Sequence, residues 1–233
     1  MSIAAVVTAA GYGTRLGSDL PKALVLVAGR SLLAWALDRT LEVADTVVVT
    51  APPTHVAAIW AVIDREVGGA TRVAVVPGGA TRQESVAAGL AALVNAGITP
   101  DDIVLVHDAA RAFMPVGAMR AAIAAIESGA DGAVPVIPVV DTIVGAPGPG
   151  GELGELVDRD SLRAVQTPQV FRAAPLLDAH DGARTPLGAP ATDDATLVRN
   201  AGYRVVATVG DPAGFKVTLA GDLALAEHLA GLS

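Results

Sequence analysis

Residues 3–22 read IAAVVTAAGYGTRLGSDLPK. The apolar run at 3–7 has the length and composition of a short buried strand. It empties into a glycine-rich turn whose backbone N–H groups are able to converge on phosphate oxygens, because Gly11 and Gly13 carry no Cβ to block the approach. Arg15 and Lys22 place two permanent positive charges beside that turn. The order Gly-x-Gly-Thr-Arg, then Pro-Lys, fits neither GxxxxGK[ST] nor GxGxxG. It reads as a third kind of phosphate loop, suited to a nucleoside triphosphate.

The rest of the chain repeats this strand-and-turn grammar. Short β-branched runs at 46–50, 72–76, 103–107, 132–136 and 203–209 alternate with alanine-rich amphipathic stretches at 32–43, 54–67, 82–95, 116–128, 192–200 and 223–229. That alternation predicts an α/β fold, a mostly parallel central sheet with helices on both faces. Helix starts are marked: Thr81 and Glu84 have capping-box spacing, and Pro115, Asp193 and Asp194 suit first turns. Residues 140–163, with GAPGPGGELG at 145–154, interrupt the alternation and read as a projecting β-arm or a disordered surface loop, the charged and hydroxyl residues at both bases favouring the arm. The 233 residues fit one domain, 1–233, with this arm as a subregion.

Composition excludes several function classes. With no cysteine there is no disulfide framework, thiol nucleophile or zinc–thiolate site. A net charge of −8 argues against nucleic-acid or anionic-membrane partners, and no apolar run is long enough to span a bilayer. Met1 leads almost directly into the first strand, leaving no space for a signal peptide, so a cytoplasmic location is expected. Of the 16 lysines and arginines only Lys22 and Lys216 are lysines, compact point charges in an arginine-preferring chain.

In an open parallel sheet, ligands sit beyond the carboxyl ends of the strands. The segments there are the glycine loop, PGGATRQES at 77–85 and HDAAR at 107–111. Asp108 is placed to meet Mg²⁺, to meet a substrate hydroxyl, or merely to cap the following turn. Arg111 has two readings, an ion pair with Asp108 or a contact to substrate phosphate. Thr167 follows the strand-like 162–166, and Thr192 opens a helix, where hydroxyls serve as caps or phosphate contacts. Lys216 stands in the strand-like run FKVT, which demands an anionic partner: Asp211, Asp222 or a substrate phosphate.

Taken in order, AAGYGTRLGSDLPK, PGGATRQESV, LVHDAARAF, Asp141-Thr142, VDR at 157–159, VQTPQVF, TDDATLV and FKVT resemble the 2-C-methyl-D-erythritol 4-phosphate cytidylyltransferases of the non-mevalonate isoprenoid pathway. The resemblance covers essentially the whole chain and implies a Rossmann-like nucleotidyltransferase fold. It implies transfer of CMP from CTP to methylerythritol phosphate with Mg²⁺ shielding the triphosphate. Arg15, Lys22, Arg159 and Lys216 would be catalytic, and Ala9, Ala10, Gly11, Gly13, Gly79, Ala80 and Ser85 would hold the nucleotide. Asp108, which would also lie near the metal, Arg111, Thr142, Thr167 and Thr192 would meet the acceptor. It further implies a homodimer whose arms clasp, each carrying Thr142 and Arg159 into the partner's site. Ala80 stands where some relatives carry an acidic residue, and the cyclodiphosphate synthase fused to others is not expected here. The rivals are a ribitol 5-phosphate cytidylyltransferase, a sugar-1-phosphate nucleotidyltransferase using UTP or dTTP, and a nucleotide-sensing module without turnover.

Overall fold

The computed structural model describes residues 1–12, 20–182 and 191–232. The strands are β1 (Ile3–Thr8), β2 (Leu26–Val27), β3 (Arg30–Ser31), β4 (Thr46–Ala51), β5 (Val73–Pro77), β6 (Ile103–Asp108), β7 (Gly132–Pro138), β8 (Ile143–Val144), β9 (Leu156–Val157), β10 (Arg163–Val165), β11 (Gln169–Arg172) and β12 (Val205–Val209). The helices are α1 (Leu32–Leu41), α2 (Val56–Glu66), α3 (Arg82–Asn95), α4 (Val116–Glu127), α5 (Ala173–Gly182), α6 (Asp194–Asn200) and α7 (Ala220–Ala230).

β1 lies at the centre, parallel to β4 on one side and to β6 on the other, and β5 continues the parallel set beyond β4. Between β6 and β7 runs β11, antiparallel to both, while β12 pairs parallel with the far side of β7. The sheet is therefore mixed, with a mostly parallel core. β1 is buried on both faces, which is why it reads as an unbroken apolar run. Ala5 and Val7 pack in the core with Leu33, Leu37 and Ile59 of α1 and α2; Ala4 and Val6 pack with Val86, Leu90 and Leu93 of α3. Gly89 lets α3 lie close to β1, since a Cβ there would come within 2.5 Å of Val6.

Most expected strands and helices form, with ends shifted by one to three residues. Thr81 and Glu84 make the full capping box, and Asp193 caps α6 by accepting from the Thr196 N–H at 2.9 Å. Three features depart from expectation. β11 and α5 are additional elements between 166 and 183. A small β2–β3 hairpin precedes α1. The run 215–218 is not a strand: it is irregular backbone leaving the 3-10 turn Pro212–Gly214, tied down by the Val217 N–H on the Ala110 carbonyl at 2.9 Å. The 140–163 excursion is a hairpin, with β8 and β9 antiparallel and the Gly145 N–H on the Glu155 carbonyl closing the next rung.

Candidate functional site

Beyond the carboxyl ends of β1 and β6, where the direction of strand connection reverses, lies a cavity of about 270 Å³. Ala9, Ala10 and Gly11 form one wall, continuing straight from β1, and Gly79, Ala80 and Ser85 form another at the start of α3. Ser85 shapes that second wall: its hydroxyl donates to the Thr81 carbonyl at 2.9 Å and accepts the Gly79 N–H at 3.2 Å. Asp108 closes the floor at the end of β6. Lys22 and Lys216, 194 positions apart in a chain with no other lysine, both line this one hollow. The Lys22 backbone N–H donates to the Gly11 carbonyl at 2.9 Å, fastening the end of the loop back to its beginning. Gly13 and Arg15 lie outside the described residues.

The electrostatic centre is Asp108. One oxygen receives Lys216 Nζ at 2.7 Å; the other receives Arg82 Nε and the Thr8 hydroxyl, both at 3.2 Å. Burial alone would raise the Asp108 pKa, but the Arg82 and Lys216 charges outweigh it and hold the carboxyl well below the usual carboxylate range. Lys216 thus finds its anion at a site neither Asp211 nor Asp222 occupies. Asp211 accepts from the Ala213 N–H, and Asp222 from the N–H groups of Thr218 and Leu219.

Arg82 is the functional side chain that motif reading passed over. From the first residue of α3 it reaches Asp108 and also, at 2.6 Å, buried Asp194 at the start of α6. Asp194 in turn is bonded to His180 Nε2 at 3.0 Å. A signal existed: a cation in the first turn of a helix opposes the helix dipole unless acidic partners hold it. Thr8 and Tyr12 also line the cavity without having been singled out.

The remaining expected residues lie outside the cavity wall. Thr167 sits behind Asp108, its hydroxyl accepting the Asp108 N–H at 3.0 Å and bonded to His107 Nδ1 at 3.0 Å. His107 is fully buried, and burial pushes its pKa down to about 4, so the ring is neutral at pH 7. Arg111 donates to the Gly214 carbonyl at 2.7 Å and the Val165 carbonyl at 3.1 Å, so it forms no ion pair with Asp108. Thr142 and Arg159 are exposed at the base of the arm, where Arg159 donates to the Val140 carbonyl at 2.7 Å. Thr192 is exposed just before α6.

The family model for 2-C-methyl-D-erythritol 4-phosphate cytidylyltransferase (IspD) matches residues 3–231. The chain belongs to that family. It is a cytidylyltransferase of the non-mevalonate isoprenoid pathway, transferring CMP from CTP to methylerythritol phosphate. It is 46% identical over 231 residues to the 2-C-methyl-D-erythritol 4-phosphate cytidylyltransferase of Saccharopolyspora erythraea, covering 97% of this chain and 98% of that one. It is 50% identical over 228 residues to the bifunctional IspD/IspF enzyme of Clavibacter michiganensis, covering 96% of this chain and 53% of that longer one. The crystal structure of the Thermus thermophilus cytidylyltransferase superposes with a TM-score of 0.78 at 40% identity, covering 99% of this chain and all of that one. These likenesses do not favour the ribitol phosphate rival. No helix among the described residues is long and apolar enough to cross a membrane.

For a divalent ion, the cytidylyltransferase cavity offers a thin donor set. Asp108 is the one carboxylate among its described lining residues, both its oxygens already face cations, and no group of three metal-binding side chains occurs among the described residues. Hard cations need several oxygen ligands. The described residues therefore do not fit a protein-held Mg²⁺ site.

Proposed function

We propose that the two lysines grip opposite ends of the transfer: Lys22, with Arg15, on the CTP phosphates, and Lys216, with Arg159, on the acceptor phosphate. The observation that carries this reading is the convergence of Lys22 and Lys216 on one cavity walled by the glycine loop. An oxygen of the acceptor phosphate attacks the α-phosphorus, forming a new P–O bond as the α–β bridging bond breaks and pyrophosphate leaves. The attacking group is already an anion, so the work is alignment and charge stabilisation, with no side-chain base. An ammonium has three donors and Asp108 takes one of those on Lys216, whose side chain is 42% exposed, leaving it able to accept a phosphate as well.

The cytosine edge packs against Gly79, Ala80 and Ser85, where close backbone contact selects a small pyrimidine over a purine. Asp108, Arg111, Thr142, Thr167 and Thr192 complete the acceptor side, some by contact and some, as with Thr167, by holding a neighbour. A divalent ion such as Mg²⁺ would be held by the substrate and not by this chain's described residues, and would supply charge shielding of the triphosphate. The chain acts as one nucleotidyltransferase domain in the cytoplasm, with CTP and methylerythritol phosphate as its small-molecule partners.

The arm at 140–163 pairs two chains into a homodimer and delivers Thr142 and Arg159 into the partner's cavity. In support, Val140, Leu153 and Leu156 on the arm, and Val209 at the end of β12, are all more than 70% exposed. Pyrophosphate release from CTP is expected with methylerythritol phosphate and not with ribitol 5-phosphate; the reverse preference would reinstate the rival acceptor. Mixing two inactive variants, Lys22→Ala and Arg159→Ala, tests the shared site. If Arg159 acts across the dimer, random reassortment restores activity in about a quarter of the sites. Should the mixture stay inactive although heterodimers form, each arm serves its own chain.

A further inference from the structure

We propose that Gln166 is a positioning residue for the transfer, its side-chain amide clamping the turn that presents Lys216. This rests on the reading that Lys216 holds the acceptor phosphate. Gln166 leaves β10 at the foot of the arm, is 2% exposed, and fixes its own backbone through its N–H on the Pro135 carbonyl at 2.9 Å. It is absent from the cavity wall.

Its side chain acts as a missing strand neighbour. Nε2 donates to the Asp211 carbonyl at 2.7 Å and Oε1 accepts the Asp211 N–H at 3.0 Å, so one amide satisfies both backbone groups of one residue. From that point the turn is fixed stepwise: Asp211 caps the Ala213 N–H at 2.8 Å, Arg111 holds the Gly214 carbonyl, and the Val217 N–H binds Ala110. Lys216 hangs between the last two anchors and reaches Asp108. The turn also has no slack. A Cβ at Gly210 would collide with Gln166 Oε1, and one at Gly214 with the Met114 side chain, so the backbone lies directly against Gln166 and Met114.

Among the described residues, no other satisfies both backbone groups of Asp211 in this way. Without Gln166 the contacts left at the start of the turn are the end of the β12–β7 pairing at Val209, the Gly210 N–H on the Val136 carbonyl and, within the turn itself, the Gly214 N–H on the Asp211 carbonyl. A shift of about 1 Å in a positioning group is worth about a hundredfold in rate. The test compares Gln166→Leu, which keeps the bulk and loses both bonds, with Gln166→Glu, which keeps the acceptor for the Asp211 N–H and sets a second oxygen against the carbonyl. Steady-state pyrophosphate release is measured for each, varying methylerythritol phosphate and CTP separately, alone and in a Lys216→Ala background.

The expected result for Gln166→Leu is a loss of about ten- to a hundredfold in kcat/KM for methylerythritol phosphate, with KM for CTP within about twofold and Gln166→Glu intermediate. With Lys216 already removed, the further loss should nearly vanish. Equal losses toward both substrates, or an undiminished loss in the Lys216→Ala background, would overturn the inference. Should Gln166→Leu not accumulate as folded protein, Gln166→Glu carries the same comparison. If Lys216→Ala itself leaves kcat and KM for methylerythritol phosphate unchanged, the Lys216 reading fails first and Gln166 is not at issue.

Discussion

Replacing Lys22 with alanine is expected to lower kcat by about two powers of ten or more while changing CTP affinity only severalfold. The reason lies in how the cavity divides its labour. In the proposed binding mode the nucleotide contacts are spread over backbone and small side chains of the cavity wall at Ala9, Ala10, Gly11, Gly79, Ala80 and Ser85, and alanine retains the Lys22 backbone N–H on Gly11. The ammonium is different. As the bond to the α-phosphorus breaks, negative charge grows on the departing pyrophosphate, and a donor aimed at that charge stabilises the transition state more than the ground state. Lys22→Arg should recover only part of the loss, because a planar fork replaces a compact point charge. Pyrophosphate release gives kcat, and calorimetric titration of CTP gives affinity. Equal losses in both would mean that Lys22 merely binds the nucleotide.

The parts of this architecture that could be read along the chain are those governed by local periodicity. β1 and the glycine loop announce themselves in twenty residues, and the capping box of α3 is visible in four. β11 and α5 escaped because QVFR is too short to show a period, and AAPLLDAHDG carries Pro175, which looks like a breaker until it falls in the first helical turn, where its missing N–H costs nothing. FKVT looked like a strand because it is a short apolar run, and Val217 is fully buried, but that burial comes from packing beside Leu32 and Phe113, without a neighbouring ladder.

The site was legible as a set of residue types and illegible as a set of pairs. Convergence of three loops at the strand ends follows from parallel topology, so Gly11, Gly79 and Asp108 could be grouped in advance. Ion pairing follows no such rule. Lys216 meets Asp108 across 108 positions and Arg82 meets Asp194 across 112, separations over which neither spacing nor propensity carries information. Arg111 makes the same point from close range: three residues from Asp108, it could be read as its ion-pair partner or as a phosphate contact, and of these the ion pair does not form, the side chain being turned onto the carbonyls of Gly214 and Val165.

Removal of Arg82 should therefore be felt in stability as well as in turnover. Arg82→Met keeps much of the stem and deletes the guanidinium that joins Asp108 to Asp194, whose side chains are 10% and 2% exposed. Leaving buried carboxylates short of their cation costs about 3–5 kcal/mol. The pH dependence gives the test its sign. Burial raises the pKa of both carboxyls, but for Asp108 the Arg82 and Lys216 charges, and for Asp194 the His180 hydrogen bond and the Arg82 charge, bring it below the ordinary value. Both therefore stabilise the native protein above the unfolded carboxyl pKa of about 3.9, and that contribution fades as pH falls below about 5 toward the depressed native values. In Arg82→Met, Lys216 still faces Asp108 and His180 still faces Asp194, but losing the Arg82 charge moves both carboxyls upward, so protonating them forfeits less than in the parent. The stability gap between the two proteins, measured by urea unfolding, should be widest near pH 7 and narrow as pH falls into the carboxyl range. A gap that stays constant across that range would show that Arg82 supports the fold by packing alone. The same variant should release Asp108 from one of its two cations, letting it draw Lys216 inward and away from the acceptor phosphate. KM for methylerythritol phosphate should then rise even at a pH where the protein remains folded, which separates the electrostatic role from the structural one.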